Sequence, residues 1–169
     1  MRHIAIAALI LCMVPLMAWA EEGANRISGT VGDLEIDVPI WGEQSDFYGD
    51  GNSGGVSIMT KPVAPDQGLG AISISFEGSD FQNASFSSFE VSVADIEAGN
   101  MSSYFADLDN DLQIEVVQAE KQDGALSLSG SVQGTLTWRK LMPISERAKD
   151  PTRQLPVALE FDVTVENEF

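Results

Sequence analysis

Hydrophobic and polar residues alternate with a period of two along most of the chain. Ile72, Ile74 and Phe76, for example, alternate with Ser73 and Ser75. Because successive side chains of a β-strand point to opposite faces, this pattern predicts strands with one buried face. Similar stretches predict about eight strands, at residues 27–31, 34–41, 55–60, 71–77, 85–94, 112–120, 124–139 and 156–166.

Glycines mark the turns and irregularities of these strands. Gly32-Asp33 and Asp123-Gly124 each separate two predicted strands by two residues, which is the spacing of a tight β-hairpin. Gly130 and Gly134 fall on the apolar face of the long seventh strand. Since glycine weakens a strand interior and often marks a bulge, we expect a bend or bulge there.

Helical signals are weak. Residues 101–108 fit one or two helical turns, and residues 145–149 fit a single turn that Pro151 ends. Stretches rich in Gly, Pro, Ser and Asp predict loops at 42–54, 61–70 and 140–155. Regular strands with polar outer faces and Gly-rich turns predict an all-β fold, an antiparallel β-sandwich of about eight strands.

The N-terminus has the three parts of a secretory signal peptide. Arg2 supplies a positive charge, Ile4 to Met17 form an apolar run, and Ala18-Trp19-Ala20 form a small-x-small cleavage site. We predict that residues 1–20 are cleaved after Ala20, that residues 21–169 form a single domain, and that the protein is periplasmic or secreted. No later stretch is long and apolar enough to predict a transmembrane helix.

The charge balance is strongly acidic. The chain has 26 Asp and Glu against 9 Lys and Arg, a formal net charge of −17 at pH 7. Such a chain repels phosphate, so we predict no nucleic-acid partner, whereas a cationic partner or a divalent metal ion suits the charge. Five of the basic residues cluster in residues 139–156. We expect this basic segment to lie against the acidic body of its own domain.

The residue types of most catalytic sites are missing. The single histidine, His3, and the single cysteine, Cys12, both lie in the predicted signal peptide. Gly51-Asn52-Ser53-Gly54-Gly55 resembles the segment around the nucleophile of chymotrypsin-like serine proteases, but Ser53 has no histidine to take its proton. Zinc and copper sites also depend on these residue types. We therefore predict a non-catalytic protein.

One acidic segment has the spacing of a calcium loop. Asp107, Asp109 and Asp111 occupy alternate positions, so their carboxylates are candidate ligands for a calcium ion. Leu112 stands where an EF-hand needs glycine, and a strand rather than a helix is predicted to follow. The segment is therefore either a calcium site or a solvated acidic loop, and no other cofactor is predicted.

Two aromatic residues are candidates for ligand binding. Trp41 ends a predicted strand beside the Gly-rich stretch 42–54, and Tyr48 lies within that stretch. Aromatic rings at a strand end are able to form a platform for a ligand such as a sugar.

Together these features predict an exported, non-catalytic β-sandwich protein with a binding or envelope-structural role and an unidentified protein or glycan partner. One alternative is a calcium-stabilised, carbohydrate-binding module. A second is a small outer-membrane β-barrel, because alternation continues towards the terminal Phe169. The short strands 27–31 and 55–60 and the scarcity of aromatic residues argue against the barrel.

Overall fold

The computed structural model of the chain describes residues 25–99, 101–109, 112–140 and 147–167. These residues are nearly all β, as the alternation predicts, with two short 3-10 turns at Gly42–Gln44 and Pro65–Gln67. The ten strands are β1 (Arg26–Val31), β2 (Leu34–Pro39), β3 (Asp46–Gly49), β4 (Gly54–Met59), β5 (Leu69–Asp80), β6 (Ser85–Asp95), β7 (Ser102–Asp107), β8 (Gln113–Gln122), β9 (Ala125–Lys140) and β10 (Ala148–Glu166). The predicted signal peptide, residues 1–20, lies outside the described residues. Within the described part of the chain, no helix is long and apolar enough to cross a membrane.

All ten strands belong to one sheet, in the order β2-β1-β10-β3-β4-β5-β6-β7-β9-β8, and β10 also pairs with β9. The pairings from β10 through β3 to β7 and β9 therefore lead back to β10. Every neighbouring pair is antiparallel except β10 and β3, which are parallel. The predicted sandwich of about eight strands is not confirmed, because the structure has a single sheet of ten strands.

The two longest strands hold this sheet together. β9 pairs with β10 from Ala125 to Lys140, along nearly its whole length. On its other edge, β9 pairs first with β8, up to Gln133, and then with β7, from Thr137. One strand thus carries two neighbours on the same edge.

The alternation places one continuous core on the inner face of the sheet. Each of the ten strands contributes side chains to it, and Ile58, Ile72, Val91, Leu136 and Val163 have no solvent exposure. Burying an aliphatic or aromatic side chain of this size contributes about 1.5–3 kcal/mol, so the inner face supplies most of the driving force for folding.

Two strands were not predicted. β3 lies in the stretch expected to be a loop, and β7 covers most of residues 101–108, which were expected to be helical. The helical prediction for 101–108 is wrong because β7 pairs with β6 and β9 on its two edges. A single helical turn was also predicted at residues 145–149. Residues 145 and 146 lie outside the described part of the chain, and Ala148 and Lys149 belong to strand β10 instead.

The predicted hairpin turns are confirmed, and the predicted irregularity is found on the neighbouring strand. Gly32-Asp33 and Asp123-Gly124 form turns. Opposite Gly130, the register between β8 and β9 shifts, and Val117 is the extra residue of a bulge in β8. A Cβ atom on Gly130 would lie 2.1 Å from the carbonyl oxygen of Glu115 and 2.6 Å from the Phe161 ring, so only glycine fits there.

Candidate functional site

The structure separates the two aromatic candidates. Tyr48 pairs with Gly55 across β3 and β4. The backbone N–H of Trp41 donates to the carbonyl of Met59, four residues further along β4. At about 3.3 Å per residue this places the two aromatic residues roughly 13 Å apart along the strand direction. Trp41 and Tyr48 therefore do not form one platform.

Tyr48 lies at the rim of a groove on the outer face of β3, β4, β5 and β6. The groove has a volume of about 340 Å³. Three carboxylate residues line it, namely Asp46, Glu77 and Glu90. The remaining lining residues are Gly55, Val56, Ser57, Ser75, Phe76 and Ser88. We call this feature the acidic groove. It combines an exposed aromatic residue, three carboxylates and a floor made largely of short side chains.

The local sequence explains why the Tyr48 ring lies flat on the sheet. A Cβ atom on Gly55 would lie 2.3 Å from Cε1 of Tyr48, so the missing side chain leaves the space that the ring fills. The Tyr48 residue is nevertheless 54% exposed. Partial desolvation raises the pKa of Tyr48, and the Glu77 carboxylate, which accepts its hydrogen bond, raises it further. The Glu77 carboxylate therefore lies beside the Tyr48 phenol.

The pairing register extends the acidic groove towards the calcium candidate. Asp46 pairs with Ser57, Ser57 with Ser75, Ser75 with Glu90, and Glu90 with Asp107. These residues form one row across five strands, on the outer face of the sheet. Adjacent strands lie about 4.8 Å apart, so the row spans roughly 19 Å.

The calcium candidates are only partly described. The backbone N–H of Asp109 donates to the Asp107 carboxylate at 3.1 Å, which closes a local turn after β7. Asp111 lies outside the described residues. Across the described ranges, no group of three or more His, Cys, Asp or Glu side chains is arranged to hold a metal ion. The calcium site stays a prediction.

Ser53 hydrogen-bonds to an aspartate in its own turn. Its hydroxyl and its backbone N–H both donate to the Asp50 carboxylate, at 2.9 and 3.0 Å. These hydrogen bonds lower the pKa of Asp50. Asn52 next to it donates to Asp80 in the β5–β6 hairpin at 2.9 Å. Residues 51–55 therefore form a hydrogen-bonded connection between the β3–β4 and β5–β6 hairpins. The side chain that Ser53 contacts is the Asp50 carboxylate.

Sequence reasoning missed a partly buried polar cluster at the end of β6. Arg153 and the Trp138 indole both donate to Asp95, each at 2.8 Å. The backbone N–H of Ala98 donates to the other carboxylate oxygen at 3.0 Å. The Arg153 guanidinium also lies over the Trp138 ring, 4.5 Å from its centroid, and bonds the Tyr104 hydroxyl at 3.2 Å. We call these residues the Asp95 cluster.

The electrostatics of the Asp95 cluster follow from these contacts. Burial by itself would raise the pKa of the Asp95 carboxyl. The donors from Ala98, Arg153 and Trp138 favour the ionised form more strongly, so the net pKa of Asp95 is lowered. The cluster therefore holds a buried negative charge that Arg153 compensates.

An irregularity in β10 delivers Arg153 to this cluster. The register with β9 shifts between Asp150 and Gln154, so residues 151–153 leave the ladder. Thr152 caps the excursion by donating its N–H and hydroxyl to Asp150, at 2.9 and 2.6 Å. At least part of the basic segment thus lies against acidic residues of its own domain, as the charge pattern predicts.

Arg139 is a second residue of the basic segment that lies near acidic residues of the same domain. Its guanidinium lies 3.2 Å from the centroid of the Phe105 ring. Burial lowers the pKa of Arg139, and the charges of Glu90 and Asp107 partly offset that shift. The basic residue therefore balances the far end of the acidic row.

No family model, curated protein or solved structure matches the chain.

Proposed function

We propose that this chain is an exported, non-catalytic binding protein that recognises a cationic partner through the acidic groove. The single observation that carries the proposal is the exposed Tyr48 ring set among Asp46, Glu77 and Glu90. An aromatic face attracts a cation, and neighbouring carboxylates strengthen that attraction.

The composition of the groove supports a cationic ligand over an anionic or neutral one. The lining residues include three carboxylates and no lysine or arginine. The formal net charge of −17 adds a long-range field that draws cations towards the surface. A ligand carrying several amines, or a basic segment of a protein, has the complementary charge.

A non-catalytic role fits the chemistry of the chain. Residues 21–169 contain no histidine or cysteine, and the Ser53 hydroxyl bonds to Asp50 rather than to a base. Export fits the signal-peptide pattern of residues 1–20. We also propose that the sheet folds into two facing layers, as in a sandwich, with β2-β1-β10-β9-β8 in one layer and β3 to β7 in the other. The single core and the pairing of β9 with both β8 and β7 on one edge support this arrangement.

Calorimetric titration with spermidine tests the proposal. This linear triamine carries positive charge but has no peptide backbone. We expect Glu77→Gln and Glu90→Gln together to weaken binding at least tenfold, since each removes one groove carboxylate. The matched control is Asp66→Asn with Glu160→Gln, which removes the same charge from exposed positions outside the groove. Equal affinity of the two double variants for spermidine would mean that the interaction is non-specific charge attraction. That result would refute binding at the acidic groove.

A further inference from the structure

The acidic groove runs across the strands rather than along them. Its carboxylates lie on three different strands, with Asp46 on β3, Glu77 on β5 and Glu90 on β6. Asp46 and Glu90 belong to one registered row, three strand spacings apart, which places their backbones roughly 14 Å from each other. Between them the row carries only the short side chains of Ser57 and Ser75. A ligand that contacts both end carboxylates therefore lies perpendicular to the strands.

The face that forms the groove offers side chains but no free backbone ladder. β4, β5 and β6 each pair with a neighbouring strand on both edges. Their N–H and C=O groups are used inside the sheet, so an extended peptide gains no ladder hydrogen bonds by lying on this face. The groups that remain are carboxylates, serine hydroxyls and the Tyr48 ring over Gly55. These groups suit an unbranched chain of methylenes that carries ammonium groups.

The two ends of the row differ in charge. Beyond Asp46, the register continues to a second carboxylate, Glu166 of β10. Beyond Glu90, Arg139 of β9 stacks on the Phe105 ring, 3.2 Å from its centroid, and its charge interacts with Glu90. Because like charges repel, an ammonium group is attracted along the row as far as Glu90 and repelled beyond it.

We propose that the acidic groove binds a linear polyamine stretched across the strands from Asp46 to Glu90, and that Arg139 limits the length of the chain it accepts. The selection rests on the proposed function of the groove and names the ligand class, a small unbranched polyamine rather than a basic protein segment. An extended chain advances roughly 1.2 Å per bond, so the two nitrogens lie about 11 Å apart in 1,8-diaminooctane and about 6 Å apart in 1,4-diaminobutane. With a hydrogen bond of about 2.8 Å at each end, the longer diamine bridges Asp46 and Glu90, whereas the shorter one reaches only one of them.

Titrations of the isotopically labelled protein, followed by amide chemical shifts, test the span with three ligands. 1,4-Diaminobutane has the charge of 1,8-diaminooctane on a shorter chain, and 1-aminooctane has its chain with a single amine. We expect 1,8-diaminooctane to bind about fivefold more tightly than either, the upper range for one further exposed ion pair. Asp46→Asn should remove most of that advantage and change the affinity for 1,4-diaminobutane much less. The control Asp66→Asn, at an exposed position outside the groove, should weaken the two diamines equally if at all.

Variants of Arg139 test the length limit. In the native protein, extending the ligand from 1,8-diaminooctane to 1,12-diaminododecane carries an amine towards Arg139 and adds no electrostatic attraction. In Arg139→Gln, the affinity for the longer diamine relative to the shorter one should rise about threefold, since the repulsive charge is removed. Arg139→Lys keeps the charge and should show the native ratio. A ratio that is the same in Arg139→Gln as in the native protein would overturn the length limit.

A charge-matched pair of ligands separates a polyamine from a protein segment. Spermine and a blocked tetralysine carry the same number of amines, and we expect spermine to bind more tightly. Tighter binding of tetralysine would assign the groove to a basic protein segment. That result, or equal affinity for the two diamines, would overturn the selection of a linear polyamine while the proposed function stood. Amine binding that the Glu77→Gln, Glu90→Gln variant does not weaken would instead refute the proposed function and the selection together.

Discussion

Arg153→Ala is the substitution that most sharply tests the Asp95 cluster. In the native structure Arg153 is the only charged donor to Asp95 among the described contacts, alongside Trp138 and the backbone of Ala98. The Asp95 side chain is 6% exposed, and the Arg153 side chain is 41% exposed. Truncating Arg153 therefore leaves a buried carboxylate with two neutral donors and, among the contacts of the described residues, no compensating charge.

The magnitude follows from burial and screening. Removing one partner of a fully buried ion pair costs about 3–5 kcal/mol. Solvent reaches the Arg153 side chain and screens part of its attraction for Asp95, and two donors remain. We therefore expect a loss of about 2 kcal/mol in the free energy of unfolding, between the values for exposed and buried pairs. For a domain of this size that corresponds to a midpoint lower by roughly 4–8 °C.

Urea unfolding followed by tryptophan fluorescence measures this loss, because Trp138 belongs to the cluster. The matched control is Arg26→Ala, which removes an ion pair to Asp37 whose side chains are 40% and 66% exposed. An exposed pair contributes about 0–1 kcal/mol, so this variant should change little. The reasoning is refuted if Arg153→Ala destabilises the protein no more than Arg26→Ala does.

Three further predictions follow from the same structure. The pKa of Asp95 is lowered on folding, so its ionisation stabilises the fold above about pH 4, and this contribution is lost as the pH falls below that value. Asp95→Asn should therefore make the free energy of unfolding depend less on pH in the acid range. An unchanged acid dependence would contradict this. Gly130→Ala should prevent folding or cost several kcal/mol, because its Cβ would lie 2.1 Å from the Glu115 carbonyl, whereas Gly42→Ala, with nothing within 4 Å, should alter the melting temperature little. If the Asp107–Asp111 loop binds calcium, calcium at about 100 times its dissociation constant should add roughly 2.7 kcal/mol relative to EDTA, and Asp109→Ala should abolish that gain; equal melts in calcium and EDTA would exclude the site.

Strands with regular alternation were predictable, and the two short strands β3 and β7 were not. β5 and β6 alternate bulky apolar residues with serines, so their inner faces are evident from the sequence. The inner face of β7 carries Ser102, the partly buried Tyr104 and Ala106. Two of these three residues are too small and too weakly hydrophobic to mark a buried face. β3 has four residues and ends at Gly49, within a stretch whose composition is typical of a loop.

The contacts of the candidate sites depend on register, which the local pattern does not encode. Arg153 reaches Asp95 across 58 residues of sequence, through an excursion that only the β9–β10 ladder reveals. Tyr48 was a candidate from its residue type and position. Its neighbours Glu77 and Glu90 come from β5 and β6, and only the strand pairing brings them to the same groove.

The most direct test of cation binding at the acidic groove is a spermidine titration of the isotopically labelled protein, followed by amide chemical shifts. The account predicts that the largest shift changes fall on β3 to β6, around Tyr48, Glu77 and Glu90, and that they disappear in the Glu77→Gln, Glu90→Gln variant. Shift changes spread evenly over the acidic surface, or centred on another strand, would contradict it.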